Sequence, residues 1–72
     1  MRTDEAIRHM CETVGKGTTV VSKDIGRGSS FVGSILSRGS VPKADTLARI
    51  AEACGYEVIL RGNGEEVAIE YQ

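Results

Sequence analysis

Apolar residues recur three or four positions apart through most of the chain, a spacing that places them on one face of an α-helix. Four segments follow this pattern, and glycine or proline separates each from the next. The fourth begins just after Pro42, whose fixed backbone angle suits the start of a helix. The pattern predicts one helix that begins at Thr3 and is stopped by Gly15, helices over Thr18–Ile25 and Ser29–Ser37, and a fourth that begins just after Pro42 and is closed by Gly55.

The apolar face of each predicted helix defines the expected core. Thr3 can cap the first helix, and Asp4 and Glu5 are favourable in its first turn. Both cysteines fall on this face and are expected to be reduced core thiols. The predicted core residues are Ile7, Met10, Cys11 and Val14, then Val21 and Ile25, then Val32 and Ile35, then Ala44, Leu47, Ile50, Ala51 and Cys54.

From Tyr56 onward, apolar and polar residues alternate, which is typical of a β-strand with one buried face. Asn63-Gly64 lies in the middle of this segment and is a strong signal for a two-residue hairpin turn. Placing the turn there predicts the pairs Gly62 with Glu65, Arg61 with Glu66, Leu60 with Val67, Val58 with Ile69, and Tyr56 with Tyr71.

An isolated hairpin is barely stable in water, so its apolar face needs a cover. It can pack on the helices, or it can associate with the hairpin of a second subunit, edge to edge or face to face. We expect both covers, and therefore a homodimer. The fold is thus predicted to be mainly α, with a four-helix domain over residues 1–55 and a hairpin over residues 56–72. The predicted dimer interface comprises Tyr56, Val58, Leu60, Val67, Ile69 and Tyr71.

The second and third predicted helices form the most informative stretch of the chain. Each has one apolar pair that can face inward, and Ser22 is small where the two helices must touch. The segment Gly26–Gly28 can turn the chain sharply between them. Two helices with a tight turn, a buried inner face and a polar outer face are the pattern of a helix-turn-helix. The outer face would comprise Ser29, Ser30, Gly33, Ser34 and Ser37.

The net charge of −1 over 72 residues is unevenly distributed. Residues 1–15 have a net charge of −1, residues 16–43 of +4 and residues 44–72 of −4. Such asymmetry can orient a protein toward phosphate, although basic residues also cluster by chance in a small domain. The basic residues of the positive segment are Lys16, Lys23, Arg27, Arg38 and Lys43, against Asp24 alone.

Length and composition argue against several other classes of protein. A chain of 72 residues has little room for an active-site cleft on a supporting core. His9 is isolated, and the sequence has no evident nucleophile–base pair or phosphate loop. We therefore expect neither an enzyme nor a metal or cofactor. No apolar run approaches about 18 residues and no signal peptide is evident, so we expect a soluble, cytoplasmic protein without membrane contact.

These motifs resemble those of the phage-repressor and Cro-like helix-turn-helix proteins. The resemblance spans about Thr3 to Tyr56, through SKDIG in the second helix, SRG at the end of the third and VPKADTLARIAEACGY over the fourth. It implies a four-helix DNA-binding domain whose third helix enters the major groove of double-stranded DNA. It also implies phosphate contacts for Thr18 and Thr19, backbone contacts for Arg38 and Lys43, and base-side positions for Gly28, Ser29, Ser30, Gly33, Ser34 and Ser37.

Two features depart from the family's pattern. The residue after the turn glycine is usually aliphatic and buried, but here it is Arg27, which either points to a phosphate or indicates a longer turn. The third helix has no Asn or Gln, and its only arginine is Arg38 at the far end, so its serines would discriminate bases weakly. Phe31 can contact a thymine methyl group or cover the side of the domain.

Three functions are compatible with these features. The leading hypothesis is a dimeric, sequence-specific transcriptional regulator of phage or mobile-element type. The second is an antitoxin whose acidic C-terminal third holds a toxin. The third is a phage-encoded inhibitor that uses the same scaffold to bind a host defence complex rather than DNA.

Overall fold

The computed structural model describes the whole chain, from Met1 to Gln72. Four α-helices precede a two-stranded antiparallel sheet, so the fold is mainly α with a C-terminal β-hairpin. Helix α4 contacts α1, α2 and both strands, and thereby joins the helices to the hairpin. No helix combines the length and the hydrophobicity needed to cross a bilayer. The elements are α1 (Thr3–Val14), α2 (Thr18–Asp24), α3 (Phe31–Arg38), α4 (Ala44–Ala53), β1 (Val58–Gly62) and β2 (Glu65–Ile69).

The start of α1 differs in detail from the prediction. Thr3 is the first helical residue and does not cap the helix, because Arg2 occupies the cap position. The backbone N–H of Arg2 donates to Oε1 of Glu5 at 2.8 Å, so the acid of the first turn secures the entry of the chain. Gly15 ends the helix with a φ of 70°, as its position in the sequence indicated.

Helix α3 begins at Phe31, two residues later than predicted, and α2 ends at Asp24 rather than Ile25. Gly26, with a φ of 77°, reverses the chain after α2. Its N–H donates to the carbonyl of Lys23, and the N–H of Arg27 donates to that of Ser22, both at 2.9 Å. This bonding closes α2, and the chain completes a further turn before α3 can start.

Ser22 joins the two helices on either side of this turn. Its hydroxyl donates to the carbonyl of Thr18 at 2.7 Å and accepts from the backbone N–H of Val32 at 2.9 Å. The N-cap residue of α3, Ser30, makes no side-chain capping bond, so Ser22 satisfies a free amide of that helix from α2. The side chain of Ser22 is fully buried, and the prediction that a small residue lies at this contact is confirmed.

The core forms between the four helices, each of which contributes residues to one buried cluster. Two predicted core residues are wrong: Val14 is 40% exposed, and Ala44 is also exposed. Each lies at the end of its helix, where the neighbouring helices no longer cover it. Ala48 is buried although the sequence did not select it. The central cluster comprises Ile7, Met10, Cys11, Val21, Val32, Leu36, Ile50, Ala51 and Cys54.

The hairpin has the predicted register from Gly62 opposite Glu65 to Val58 opposite Ile69. Asn63 and Gly64 have φ angles of 51° and 75°, as a two-residue hairpin turn requires. The predicted pairing of Tyr56 with Tyr71 is wrong, because both residues lie outside the strands. Tyr56 instead packs against the core cluster, and Tyr71 contacts α4.

Candidate nucleic-acid interface

The exposed side of α3 is formed by hydroxyl groups and one arginine. Ser30 is exposed just before the helix, and Ser37 and Arg38 are exposed at its end. Ser34, between them, is half-buried, and its carbonyl accepts a hydrogen bond from the hydroxyl of Ser37 at 3.3 Å. Ser29 is exposed in the turn. These residues form a small polar surface that is exposed at the two ends of the helix and half-buried at Ser34 between them.

Three residues assigned to the base-contacting face lie outside the exposed side of α3. A Cβ atom built on Gly33 would lie 3.6 Å from Oγ1 of Thr18, so Gly33 faces the start of α2 and is half-buried. Gly28 and Ser29 are exposed, but both belong to the turn rather than to α3. Thr18 is half-buried beside Gly33, whereas Thr19 is exposed. At the start of α2, Thr19 is therefore more exposed than Thr18.

Three cationic side chains line one groove beside this surface. Arg27, Arg38 and Lys43 surround an open depression of about 480 Å³ between α3 and the start of α4. None of the three forms an ion pair, since the four ion pairs of the structure involve other cations. We call this depression the basic groove; its lining is Arg27, Phe31, Ile35, Arg38, Ser40, Val41, Pro42, Lys43, Asp45 and Thr46.

Arg27 is held at the edge of the basic groove by an aromatic ring. Its guanidinium carbon lies 4.9 Å from the centre of the Phe31 ring, a distance that is favourable for a cation–π contact. Phe31 is half-buried and packs against the core, so its ring covers the side of the helices, which was one of the two roles predicted for it. The side chain of Arg27 is exposed, and the turn is two residues longer than predicted because α3 begins at Phe31.

Lys16 is a structural residue rather than a free cation. Its ammonium group donates to Oδ2 of Asp24 at 2.9 Å and to the carbonyl of Ala53 at 2.8 Å. These bonds tie the loop before α2 to the end of α4, and Asp24 offsets the charge. Lys16 is one of the basic residues of the positive segment, but its two partners lie eight and thirty-seven positions away, so the local charge pattern does not reveal these bonds.

Both cysteines are buried in the core cluster, as expected. Burial raises the pKa of the Cys54 thiol, and the neighbouring Cys11 raises it further. The thiol form is therefore favoured, which suits a packing role.

The predicted dimer interface divides into covered and uncovered residues. Tyr56 and Val58 pack against the core of their own chain, and Ile69 is half-buried. Leu60 and Val67, which face each other across the strands, are 58% and 48% exposed. They remain available to a partner.

Two further features of the hairpin matter for this surface. Ile59 is 46% exposed on the opposite face, and the alternating pattern had not selected it because it falls out of phase with its apolar neighbours. Tyr71 is anchored to α4, since its hydroxyl donates to Oε1 of Glu52 at 3.0 Å. The exposed apolar surface is therefore concentrated on the strands rather than on the tyrosines.

Comparison with known proteins provides no relative for this arrangement. The family resemblance rests on the motifs of the chain and remains a prediction. No protein family, no curated protein and no solved structure was found to match the chain.

Proposed function

We propose that the chain is a DNA-binding transcriptional regulator in which α2 and α3 form a helix-turn-helix and α3 enters the major groove. The observation that supports this most directly is the position of the exposed Ser30 and Ser37, at the two ends of α3, beside the unpaired cations of the basic groove. Hydroxyl groups can contact base edges, while arginine and lysine contact the flanking phosphates.

The dimensions of α3 suit this role. An α-helix with its side chains is about 10–12 Å in diameter, and the major groove is about 12 Å wide, so α3 can enter it. The bond between Ser22 and Val32 holds α3 on α2, so the helix would be presented as a rigid unit. Serine accepts from or donates to either base, so sequence discrimination by this helix would be modest.

Phosphate contacts would supply most of the affinity. The candidates are Arg27, Arg38 and Lys43 in the basic groove, with Lys23 and Thr19 on the exposed side of α2. Each neutralised phosphate contributes about 0.9 to the slope of log K against log salt concentration, so binding should weaken steeply as salt rises.

A second copy of the chain would complete the unit by pairing along the hairpin. Both outer strand edges are unpaired, because the sheet has only two strands. β2 carries Glu65 and Glu66 without a basic residue, whereas β1 carries Arg61 and no acid. Pairing of two chains through β1 therefore avoids placing acidic strands side by side. It also makes the exposed Leu60 part of the interface.

A protein partner is the second candidate, favoured by the exposed Ile59, Leu60 and Val67 on an acid-rich hairpin. In this alternative the hairpin would hold a toxin or a component of a host complex, and the chain would act as an antitoxin or inhibitor. A cognate protein encoded beside the gene, purifying with the chain in a fixed ratio, would favour it.

The deciding experiment is binding of the purified protein to the DNA upstream of its own gene at 50 and 200 mM salt, against random competitor DNA. Tight binding that survives competitor and weakens with salt is the expected result. Binding that is absent at low salt would overturn the proposal, and weak binding erased by competitor would favour the protein-partner alternative.

A further inference from the structure

Asp45 is the one acidic residue in the lining of the basic groove. A carboxylate at this place opposes the approach of phosphate, or it neutralises one of the neighbouring cations. The effect of Asp45 on phosphate binding in the basic groove depends on whether its carboxylate is already bound by other groups.

In the structure the carboxylate of Asp45 is bound by two groups that do not line the basic groove. Its Oδ2 lies 3.5 Å from Nε of Arg49, one helical turn later. Its Oδ1 accepts a hydrogen bond from the backbone N–H of Gln72 at 2.6 Å. Arg27, Arg38 and Lys43 are thereby left without an acidic partner.

Arg49 is itself fixed by the segment that follows β2. It donates to the backbone carbonyl of Gln72 at 2.7 Å, and its guanidinium carbon lies 4.5 Å from the centre of the Tyr71 ring. Tyr71 in turn donates to Glu52. We call this set of contacts, made by Tyr71 and Gln72 on α4, the C-terminal clasp; it comprises Asp45, Arg49, Glu52, Tyr71 and Gln72.

We propose that Arg49 and the C-terminal clasp are positioning elements that keep the basic groove available to DNA by retaining the carboxylate of Asp45. When the clasp opens, the freed carboxylate pairs with a groove cation and removes one phosphate contact. DNA affinity thus depends on whether Tyr71 and Gln72 lie on α4. A displacement of the hairpin that moves these two residues therefore changes the affinity of the basic groove for DNA. This inference rests on the proposed function.

The test is a double-mutant cycle with Asp45→Asn and Arg49→Gln, read by DNA affinity and its salt dependence. Arg49→Gln alone should weaken binding on the order of eightfold at 0.1 M salt and lower the salt slope by about 0.9, the contribution of one phosphate. In the Asp45→Asn background, the same change should alter binding less than twofold, because no carboxylate is released. Asp45→Asn alone should bind at least as well as the wild type.

Arg8→Gln is the matched control, since it removes one exposed arginine from α1, outside the basic groove and the hairpin. It should change affinity less than twofold. Tyr71→Leu loosens the clasp by removing the contacts of Tyr71 with Arg49 and Glu52, without removing a charge, and it should weaken binding in the wild type but not in the Asp45→Asn background. This second variant keeps the test decisive if Arg49→Gln lowers the fold stability.

The outcomes separate the two proposals. If Arg49→Gln and Tyr71→Leu weaken binding equally in both backgrounds while the wild type binds normally, the coupling through Asp45 is wrong and the proposed function stands. If the wild type does not bind DNA at 50 mM salt, the proposed function is overturned, and this inference with it.

Discussion

The hydroxyl of Ser22 accepts a hydrogen bond from the backbone N–H of Val32 at 2.9 Å, and so caps α3 from the neighbouring helix. The bond is fully buried, and it fixes α3 relative to α2 on the inner side of the pair. The orientation of the candidate DNA-contacting surface therefore depends on one small polar residue in the core.

Ser22→Ala should lower the free energy of unfolding by about 1–3 kcal/mol, because it leaves the buried amide of Val32 without an acceptor. Urea denaturation monitored by circular dichroism measures this change. Ser37→Ala is the control, since its hydroxyl is exposed, and it should shift the free energy by less than about 0.5 kcal/mol. Equal stability of the two variants would show that the Ser22 bond contributes little.

Ser30→Glu should weaken DNA binding at least tenfold while leaving the melting temperature nearly unchanged. Ser30 is exposed at the start of α3, where a carboxylate would meet phosphate but also favours the helix N-terminus. Fluorescence anisotropy with labelled DNA measures the affinity. Thr13→Glu adds the same charge on the exposed side of α1 and should bind within twofold of the wild type. Unimpaired binding by Ser30→Glu would exclude docking through α3.

Leu60→Asp should convert the proposed dimer to a folded monomer, because Leu60 is exposed in one chain and would be buried between two. Sedimentation equilibrium across a concentration series measures the change. Val58→Asp should instead unfold the chain, since Val58 packs against its own core. A Leu60→Asp variant that remains dimeric would place the interface elsewhere.

Proline substitutions distinguish the two edges of the hairpin. Ile59 and Ala68 face each other, and in a two-residue hairpin the residues at this pair direct their amides outward. Ile59→Pro should block pairing through β1 and yield monomers, whereas Ala68→Pro should leave the dimer intact. The opposite result would assign the interface to β2. Ile59→Thr controls for the loss of the apolar side chain.

The C-terminal clasp should loosen at alkaline pH. The hydrogen bond to Glu52 raises the pKa of Tyr71 above its usual value of 10.0, with the negative charge of Glu52 acting in the same direction. Because its pKa is raised, the folded state favours the neutral phenol of Tyr71. The hydrogen bond is therefore fully present at pH values below the pKa of the unfolded chain, and it is lost as the pH rises through the pKa of the folded chain. Ultraviolet titration should show a lower pKa for Tyr71 in Glu52→Gln, and Tyr71→Phe should lack this ionisation. An unchanged titration in Glu52→Gln would exclude the hydrogen bond in solution.

Local sequence signals determined the elements and much of their order. The three-to-four spacing located the four helices, and Asn63-Gly64 placed the hairpin turn and its register correctly from Gly62 to Val58. These features depend on neighbouring residues and on the two periodicities of helix and strand, so they can be read from the chain alone.

Tertiary structure decided what depends on residues far apart in the chain. Lys16 binds Ala53 across thirty-seven positions, and Asp45 meets Gln72 across twenty-seven, so no local pattern could identify either contact. The burial of Ala48 in place of Ala44 was likewise decided by the packing of other elements around α4. Periodicity specifies which face of a helix or strand is apolar. How much of that face is buried, and which residue binds each charged side chain, are properties of the assembled fold.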